Sequence, residues 1–427
     1  MIRDALLAGG IAMAYAAQLS IPGMPFGYTE LLLSLWIMLS IGRIVMGGRL
    51  EATPALYHLV TFWVIMTFAW GIGLIIGLLT SVELLAAPVH DMTAYVLLAC
   101  VTCLSAAEPE AELHLRRTAW WVIGIANACF LFQLALGWGF IQQPGVDPWF
   151  WDRFVGWSEN PNQLALYCAL FGPLALYLAT TARNPWARVF AFSSIGVTFL
   201  VGKLTKSDTF LLTSILTLLT FLGLRVRIWF ASGNKVTVFR QVTLLLVVGF
   251  LPLAVSTAPY VVTEFGNVED IAKGLSRGGG GEETTETAEL RFSLWTDAFQ
   301  KGLTSGSLGL GPGPHVDRPL AVYKQFRREP FEAHNTYLDT YTQGGLIAVL
   351  ALLWILGSAT LAAWRAKADA LLALMLSILF YGFPHLIVRH PIVWFAVTLC
   401  LVVGTSRTVS TSRAASVTRN RTYSYAG

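Results

Sequence analysis

Phe62-Trp63-Val64-Ile65-Met66-Thr67-Phe68-Ala69-Trp70-Gly71-Ile72-Gly73-Leu74-Ile75-Ile76-Gly77-Leu78-Leu79 belongs to a longer stretch, 55–79, without a single Asp, Glu, Lys or Arg. A helix rises about 1.5 Å per residue, so about 20 apolar residues cross the hydrocarbon layer of a bilayer. The stretch therefore reads as a membrane-spanning helix. Similar runs lie on both sides of it, near 5–21, 28–46, 86–106, 118–141, 163–181, 187–202, 209–224, 241–259, 343–364, 369–388 and 391–405. Together they predict an all-α polytopic membrane protein with about 12 spans. The first run follows Met1-Ile2-Arg3-Asp4 and has no small-residue cleavage site, so it is expected to be retained rather than removed as a signal peptide.

Composition agrees. Of the 427 residues, 55% are hydrophobic and 13% charged, and the mean hydropathy is +0.61. A soluble domain is typically about a quarter charged, and disorder needs low hydrophobicity with high charge. Both classes are excluded. Fifteen Trp suit a surface that meets lipid headgroups. A net charge of +4, from 29 basic and 25 acidic residues, is too small to point to nucleic acid.

The positions of the basic residues set the orientation. With the N-terminus in the cytoplasm, 17 of the 29 Lys and Arg fall on the cytoplasmic side. Eight of the other 12 lie in the long segment 260–334, whose length makes its charge uninformative. Both termini are therefore expected to be cytoplasmic. The chain divides into an N-terminal bundle (1–259), a large outer loop with short helices (260–342), C-terminal helices (343–405) and a cytoplasmic tail (406–427). All five cysteines fall in expected spans, and the Cys100–Cys103 pair has no second pair or His cluster to make a metal site, so small core residues are the expected role.

Function has to be sought among the outward charges. The loop 142–162 carries Arg153 and the step Asn160-Pro161-Asn162 just before a span. An Asn there either caps the helix or, with Arg153, helps its N-terminus hold an anion. In the long loop, Leu290, Leu294, Trp295 and Ala298 recur at helical spacing over 286–301, and Arg291 borders that apolar face. Gly306, Gly309, Gly311 and Gly313 with Pro312 and Pro314 then read as turns, since no P-loop Lys-Ser/Thr follows. Ala333-His334-Asn335-Thr336 leads into the next span, placing an imidazole suited to general-base work at the membrane boundary. Lys203, Lys206 and Asp208 sit at another span mouth, and Arg389 and His390 between the last two spans. Ionisable groups in such places are functional candidates by default.

Several outward cations fit an anionic, lipid-linked substrate, because Arg pairs well with phosphate. A diphosphate so held leaves more easily as charge develops on it. His334 would accept the proton of an attacking hydroxyl. No cofactor is needed for such a displacement.

The ordered set Arg291…Trp295…Gly309-Leu310-Gly311-Pro312-Gly313…His334-Asn335-Thr336-Tyr337-Leu338…Gly344-Gly345 resembles the core signature of the O-antigen ligase and polymerase superfamily. Asn160-Pro161-Asn162 resembles an upstream segment of the same family. The resemblance implies a GT-C-like bundle with one large periplasmic loop, acting on an undecaprenyl-diphosphate-linked glycan donor and a lipid or glycan acceptor. It implies a catalytic role for His334 and diphosphate binding by Arg291. Arg153, Asn162, Asn335, Lys206 and Arg389 complete the expected substrate-binding set, with no metal. One departure stands out: where the family often carries Ser-Arg, this chain reads Ser207-Asp208, and Lys206 is the available replacement charge.

Two rivals remain. A transporter of polysaccharide or solute shares the topology, but no two halves match and Glu30 is the clearest isolated acid in a span. A metal-dependent oligosaccharyltransferase needs paired carboxylates in an early outer loop, and Pro22-Gly23-Met24-Pro25-Phe26 has none. Ligase and polymerase differ in acceptor, which the sequence leaves open.

Overall fold

The computed structural model describes residues 1–19, 27–80, 86–231, 241–242, 281–317 and 330–406. Among them run helices α1 (Ile2–Ala12), α2 (Tyr28–Val45), α3 (Pro54–Thr80), α4 (Ala86–Ala106), α5 (Ala111–Gly137), α6 (Pro161–Thr181), α7 (Pro185–Leu204) and α8 (Asp208–Ala231). They continue with α9 (Gly281–Thr304), α10 (Thr336–Arg365), α11 (Asp369–Tyr381) and α12 (Pro391–Ser406). A two-stranded hairpin, β1 (Trp149–Phe150) and β2 (Arg153–Phe154), lies between α5 and α6. Seven helices, α2, α3, α5, α6, α7, α8 and α10, are long and apolar enough to cross a membrane. The protein is a helical, polytopic membrane protein. The expected span 241–259 lies outside the described residues except at 241–242, as do Arg318, Lys324, Arg327, Arg328 and the tail beyond 406.

Two expected spans are shorter than the hydropathy implies. The run 5–21 is helical only to Ala12. Gln18 is instead tied to the loop before α6: its amide donates to the Trp157 carbonyl, and its side chain donates to the carbonyls of Asp147 and Ser158. The run 369–388 stops at Tyr381, because Gly382 and then Pro384 follow, and proline has no amide for a continuing helix. Residues 382–390 therefore form a loop that carries His385 and Arg389 to one end of the bundle.

α6 is the axis of the fold. Of its most apolar window, 83% is buried, against 22% for α2 and α8, whose outer faces are free for lipid. α7 packs along it, α11 crosses it and α8, and α1 lies between α2 and α5. Its start follows from sequence: Asn160 accepts from the Asn162 amide (2.9 Å), and Pro161 occupies the first turn, where its missing N–H costs nothing.

α3 and α10 form a second contact, built around glycine. α10 is broken at Gly344 and Gly345, the latter with φ +65°. The carbonyls freed before the break accept from Leu310 N (2.7 Å, from Thr342 O) and Gly311 N (2.9 Å, from Gln343 O). The glycine turns 306–313 thus dip against an unwound membrane helix. Irregular backbone survives at such depth only when it is paired and covered. α3 covers it: a Cβ on Gly73 would lie 2.5 Å from Gln343 O, and one on Gly77 2.2 Å from Leu310 O. Gly73 and Gly77 make a small-xxx-small face on α3, a spacing that permits close backbone approach in membranes.

Candidate active site

Charged and imidazole side chains from five places meet at the end of the bundle where α6 and α10 begin. The hairpin supplies Arg153. Its Nε donates to the Thr205 carbonyl (3.0 Å) and its Nη2 to Asn162 Oδ1 (3.0 Å). The Asn162 carbonyl in turn accepts from the Tyr381 hydroxyl (2.8 Å). The two asparagines thus divide the roles that the sequence left open: Asn160 caps α6, and Asn162 orients Arg153. Arg153 has no carboxylate partner among the described residues, and burial holds its pKa below the ordinary value.

α9 supplies Arg291. The apolar stripe expected there is real: Leu294 and Ala298 are buried with Val316 and Ala333, and Leu290, Phe331 and Leu338 pack around them. This seats α9 on the start of α10 and turns Arg291 toward the cluster. Among the described residues Arg291 forms no ion pair, and burial lowers its pKa too. Asp208, the first residue of α8, acts electrostatically on both guanidiniums without pairing with either. Trp295 Nε1, one turn beyond Arg291, is buried with no partner among the described residues.

His334 sits in the loop between the Val316–Phe331 bridge and α10. Its φ of +52° is unusual for a side chain larger than glycine. The neighbours impose it. Asp339, buried in the first turns of α10, accepts from the amides of Ala333 (2.8 Å) and Asn335 (3.3 Å). Asn335 caps α10 by accepting from Tyr337 N (3.0 Å) and Leu338 N (3.1 Å). Thr336 donates its hydroxyl to the His385 carbonyl (2.6 Å), which latches the 382–390 loop to the same turn. The His334 ring stands edge-on to Phe331 at 4.9 Å, and Nδ1 lies 3.9 Å from Glu332 Oε2. Burial first, and Arg291 second, push its pKa down to about 4. The ring is therefore neutral near pH 7 and able to accept a proton.

His385 was not among the residues singled out from sequence, because it fell inside an expected span. It stacks on Tyr381 at 4.9 Å, and its Nε2 is buried without a partner among the described residues. Burial, then Arg291, His334, His390 and Arg153, lower its pKa to about 3. The signal that could have found it is Pro384, immediately before it, which cannot continue the helix that stops at Tyr381.

Two expected substrate contacts are engaged elsewhere. Lys206, between α7 and α8, pairs closely with Asp152 at the hairpin turn, both well exposed, and that contact holds the Asp152 carboxyl below its usual range. Arg389 is clamped between Asp91 of α4 (3.0 Å) and Glu332. Glu30 is an exposed cap, accepting from the Gly27 amide (2.9 Å), and not a buried acid within a span. Among the described residues no group of His, Cys, Asp or Glu is arranged to hold a metal ion. A cavity of about 420 Å³ lies at the opposite end, lined by Glu51, Glu108, Glu110, Glu112 and Arg116. Its acids make it unsuited to an anion, and the cation cluster is the better candidate site.

The site thus offers unpaired guanidiniums beside neutral imidazoles, held by a glycine-broken helix. Residues 191–353 match the O-antigen ligase family. The matched segment runs from α7 into α10 and holds Lys206, Arg291, His334 and Asn335. Arg153, Asn162, His385 and Arg389 reach the same end from outside it. No curated protein and no solved structure matches the chain.

Proposed function

We propose that the protein is a membrane glycosyltransferase that transfers or polymerises an undecaprenyl-diphosphate-linked glycan at the periplasmic face of a bacterial inner membrane. The observation that carries this is the pair Arg153 and Arg291, without carboxylate partners among the described residues, beside the neutral His334. Half-buried cations without a carboxylate partner favour an external anion, and Arg matches phosphate geometry. In this reading the hydroxyl of a lipid or glycan acceptor attacks the anomeric carbon of the donor. The acceptor proton moves to His334, the bond from the anomeric carbon to the diphosphate oxygen breaks, and the electron pair leaves with the diphosphate. The configuration inverts. Arg153 and Arg291 stabilise the leaving charge where water is excluded, and no metal takes part. Both termini face the cytoplasm, and the surrounding lipids are the other partners.

The test incubates purified protein with undecaprenyl-diphosphate glycan in chelator, with and without a lipid A core acceptor. Chain growth without core means polymerase, and product only with core means ligase. Absence of transfer together with solute uptake into vesicles would replace the reading with a transporter.

A further inference from the structure

Four ionisable side chains line up from the bundle interior to the site. Asp91, 3% exposed on α4, accepts from Arg389 Nη1 at 3.0 Å. Arg389 Nη2 contacts Glu332 Oε1. Glu332 turns its other oxygen, Oε2, toward His334 Nδ1 at 3.9 Å. The signs alternate along the row, and the row ends on the imidazole proposed as base. We propose that Glu332 is the positioning carboxylate of His334, and that the Asp91–Arg389 pair sets how much of its charge reaches the imidazole.

This inference rests on His334 acting as the base. The chemistry demands such a partner. As the acceptor O–H bond breaks, its proton goes to His334 Nε2, while the new bond to the anomeric carbon forms and the diphosphate departs. The ring then carries a positive charge in a site that already holds Arg291. An imidazolium is stabilised, and its Nδ1–H tautomer fixed, by a carboxylate on the Nδ1 side. A separation of 3.9 Å is too long for a hydrogen bond, but such contacts tighten when the ring becomes charged. Arg389 works against this by drawing on the same carboxylate. The groups that face His334 are Glu332 from its own loop, Arg291 from α9 and His385 from the 382–390 loop. Arg389 acts on it through Glu332.

The two ends of this row make opposite predictions, which a merely structural role does not. The test measures modification of the His334 peptide by diethyl pyrocarbonate against pH, with the full-length protein in detergent and mass spectrometry as readout. This needs no glycan transfer. Glu332→Gln is expected to move the His334 midpoint down by about one pH unit, the lower range for a lost neighbouring charge. Asp91→Asn combined with Arg389→Gln, which leaves no buried charge orphaned, is expected to move it up. In the transfer assay Glu332→Gln should lower kcat at least tenfold at little change in KM, and Glu332→Asp should recover part of the loss. Midpoints that stay fixed, or that shift in one direction for both variants, overturn the proposal. If His334→Ala itself transfers glycan at the wild-type rate, the base reading fails instead. If that variant is inactive while Glu332→Gln matches wild type in midpoint and kcat, only the role of Glu332 is lost.

Discussion

The two ends of the helix bundle handle buried charge in opposite ways. At the end away from the candidate site, cations find partners within the chain. Arg3 contacts Glu108, Arg43 lies 3.9 Å from the same carboxylate, and His114 is 3.2 Å from Asp4. Arg225 lies 3.6 Å from Asp369, and Arg227 rests over the Trp364 ring at 4.5 Å. At the site end Asp152, Asp91 and Glu332 are committed to Lys206 and Arg389, Asp339 accepts backbone amides, and Asp208 acts on the two guanidiniums without pairing with either. Arg153 and Arg291 are left facing neutral imidazoles. Desolvating an unpaired cation is unfavourable, so a fold that tolerates it twice in one place is prepared for a ligand that brings negative charge.

The largest effect should come from the imidazole. His334→Ala is expected to reduce glycan transfer by about a thousandfold, within the range for loss of a general base. Insertion and thermal stability in detergent should be kept, since the cap on Asn335 and the Asp339 contacts do not involve the ring. Wild-type turnover in this variant would break the comparison at its centre. The same ring predicts a pH profile. Its folded pKa of about 4 lies below the ordinary value of 6.5. In this window the unfolded chain binds the extra proton, so the stability contribution is complete above pH 6.5 and is lost as pH falls toward 4. The acid limb of kcat/KM should accordingly lie below 6.5. The limb of kcat should lie higher, because a bound diphosphate offsets the charge of Arg291.

At the far end the expected loss is of stability, not of chemistry. Glu108→Ala strands Arg3 and Arg43 beside each other, which should cost about 3 kcal/mol, the low end for breaking a buried pair. Heating in detergent with fluorescence readout would show the lower midpoint, while kcat per folded molecule stays at the wild-type value. A fall in kcat at full stability would mean that the two ends are coupled.

Arg291→Lys tests the guanidinium at the site more finely. The charge remains and the planar fork is lost, so transfer should fall by about tenfold. An unchanged rate would indicate a point-charge contact. The outcome bears on how far the site could be read from sequence. Charge sorting and the helical stripe 290–298 located Arg291, and the Asn-Pro-Asn step located Arg153, because both are local patterns. Lys206 and Arg389 carry the same charge and the same kind of placement. What distinguishes them is a carboxylate far away in the chain: Asp152 for one, Asp91 and Glu332 for the other. His385 was hidden by hydropathy, which counts apolar residues and does not see that Pro384 stops the helix. The glycine turns were read correctly as turns. Their purpose, a close fit between α3 and the broken α10, depends on Gly73 and Gly77 more than two hundred residues earlier.

The smallest expected effect concerns Asn335, which the resemblance places with substrate and the geometry places at a helix end. Its Oδ1 accepts two amides of α10 at 3.0 and 3.1 Å. That is an N-cap, and removing one costs about 1 kcal/mol. Asn335→Ala should therefore lower stability by that amount. It should slow transfer only as far as His334, its chain neighbour, loses its fixed backbone. Asn335→Asp separates the two roles. An aspartate oxygen accepts the same amides, and its negative charge suits a helix N-terminus, so the cap survives. The same charge would repel a diphosphate donor touching the side chain. Near-normal KM for the donor in Asn335→Asp, with stability restored relative to Asn335→Ala, assigns Asn335 to the scaffold with Asp339 and Thr336. A donor KM raised tenfold or more at full stability would move it to the side of Arg153 and Arg291. The boundary between the groups that hold the fold and those that meet the substrate would then pass through a single loop residue.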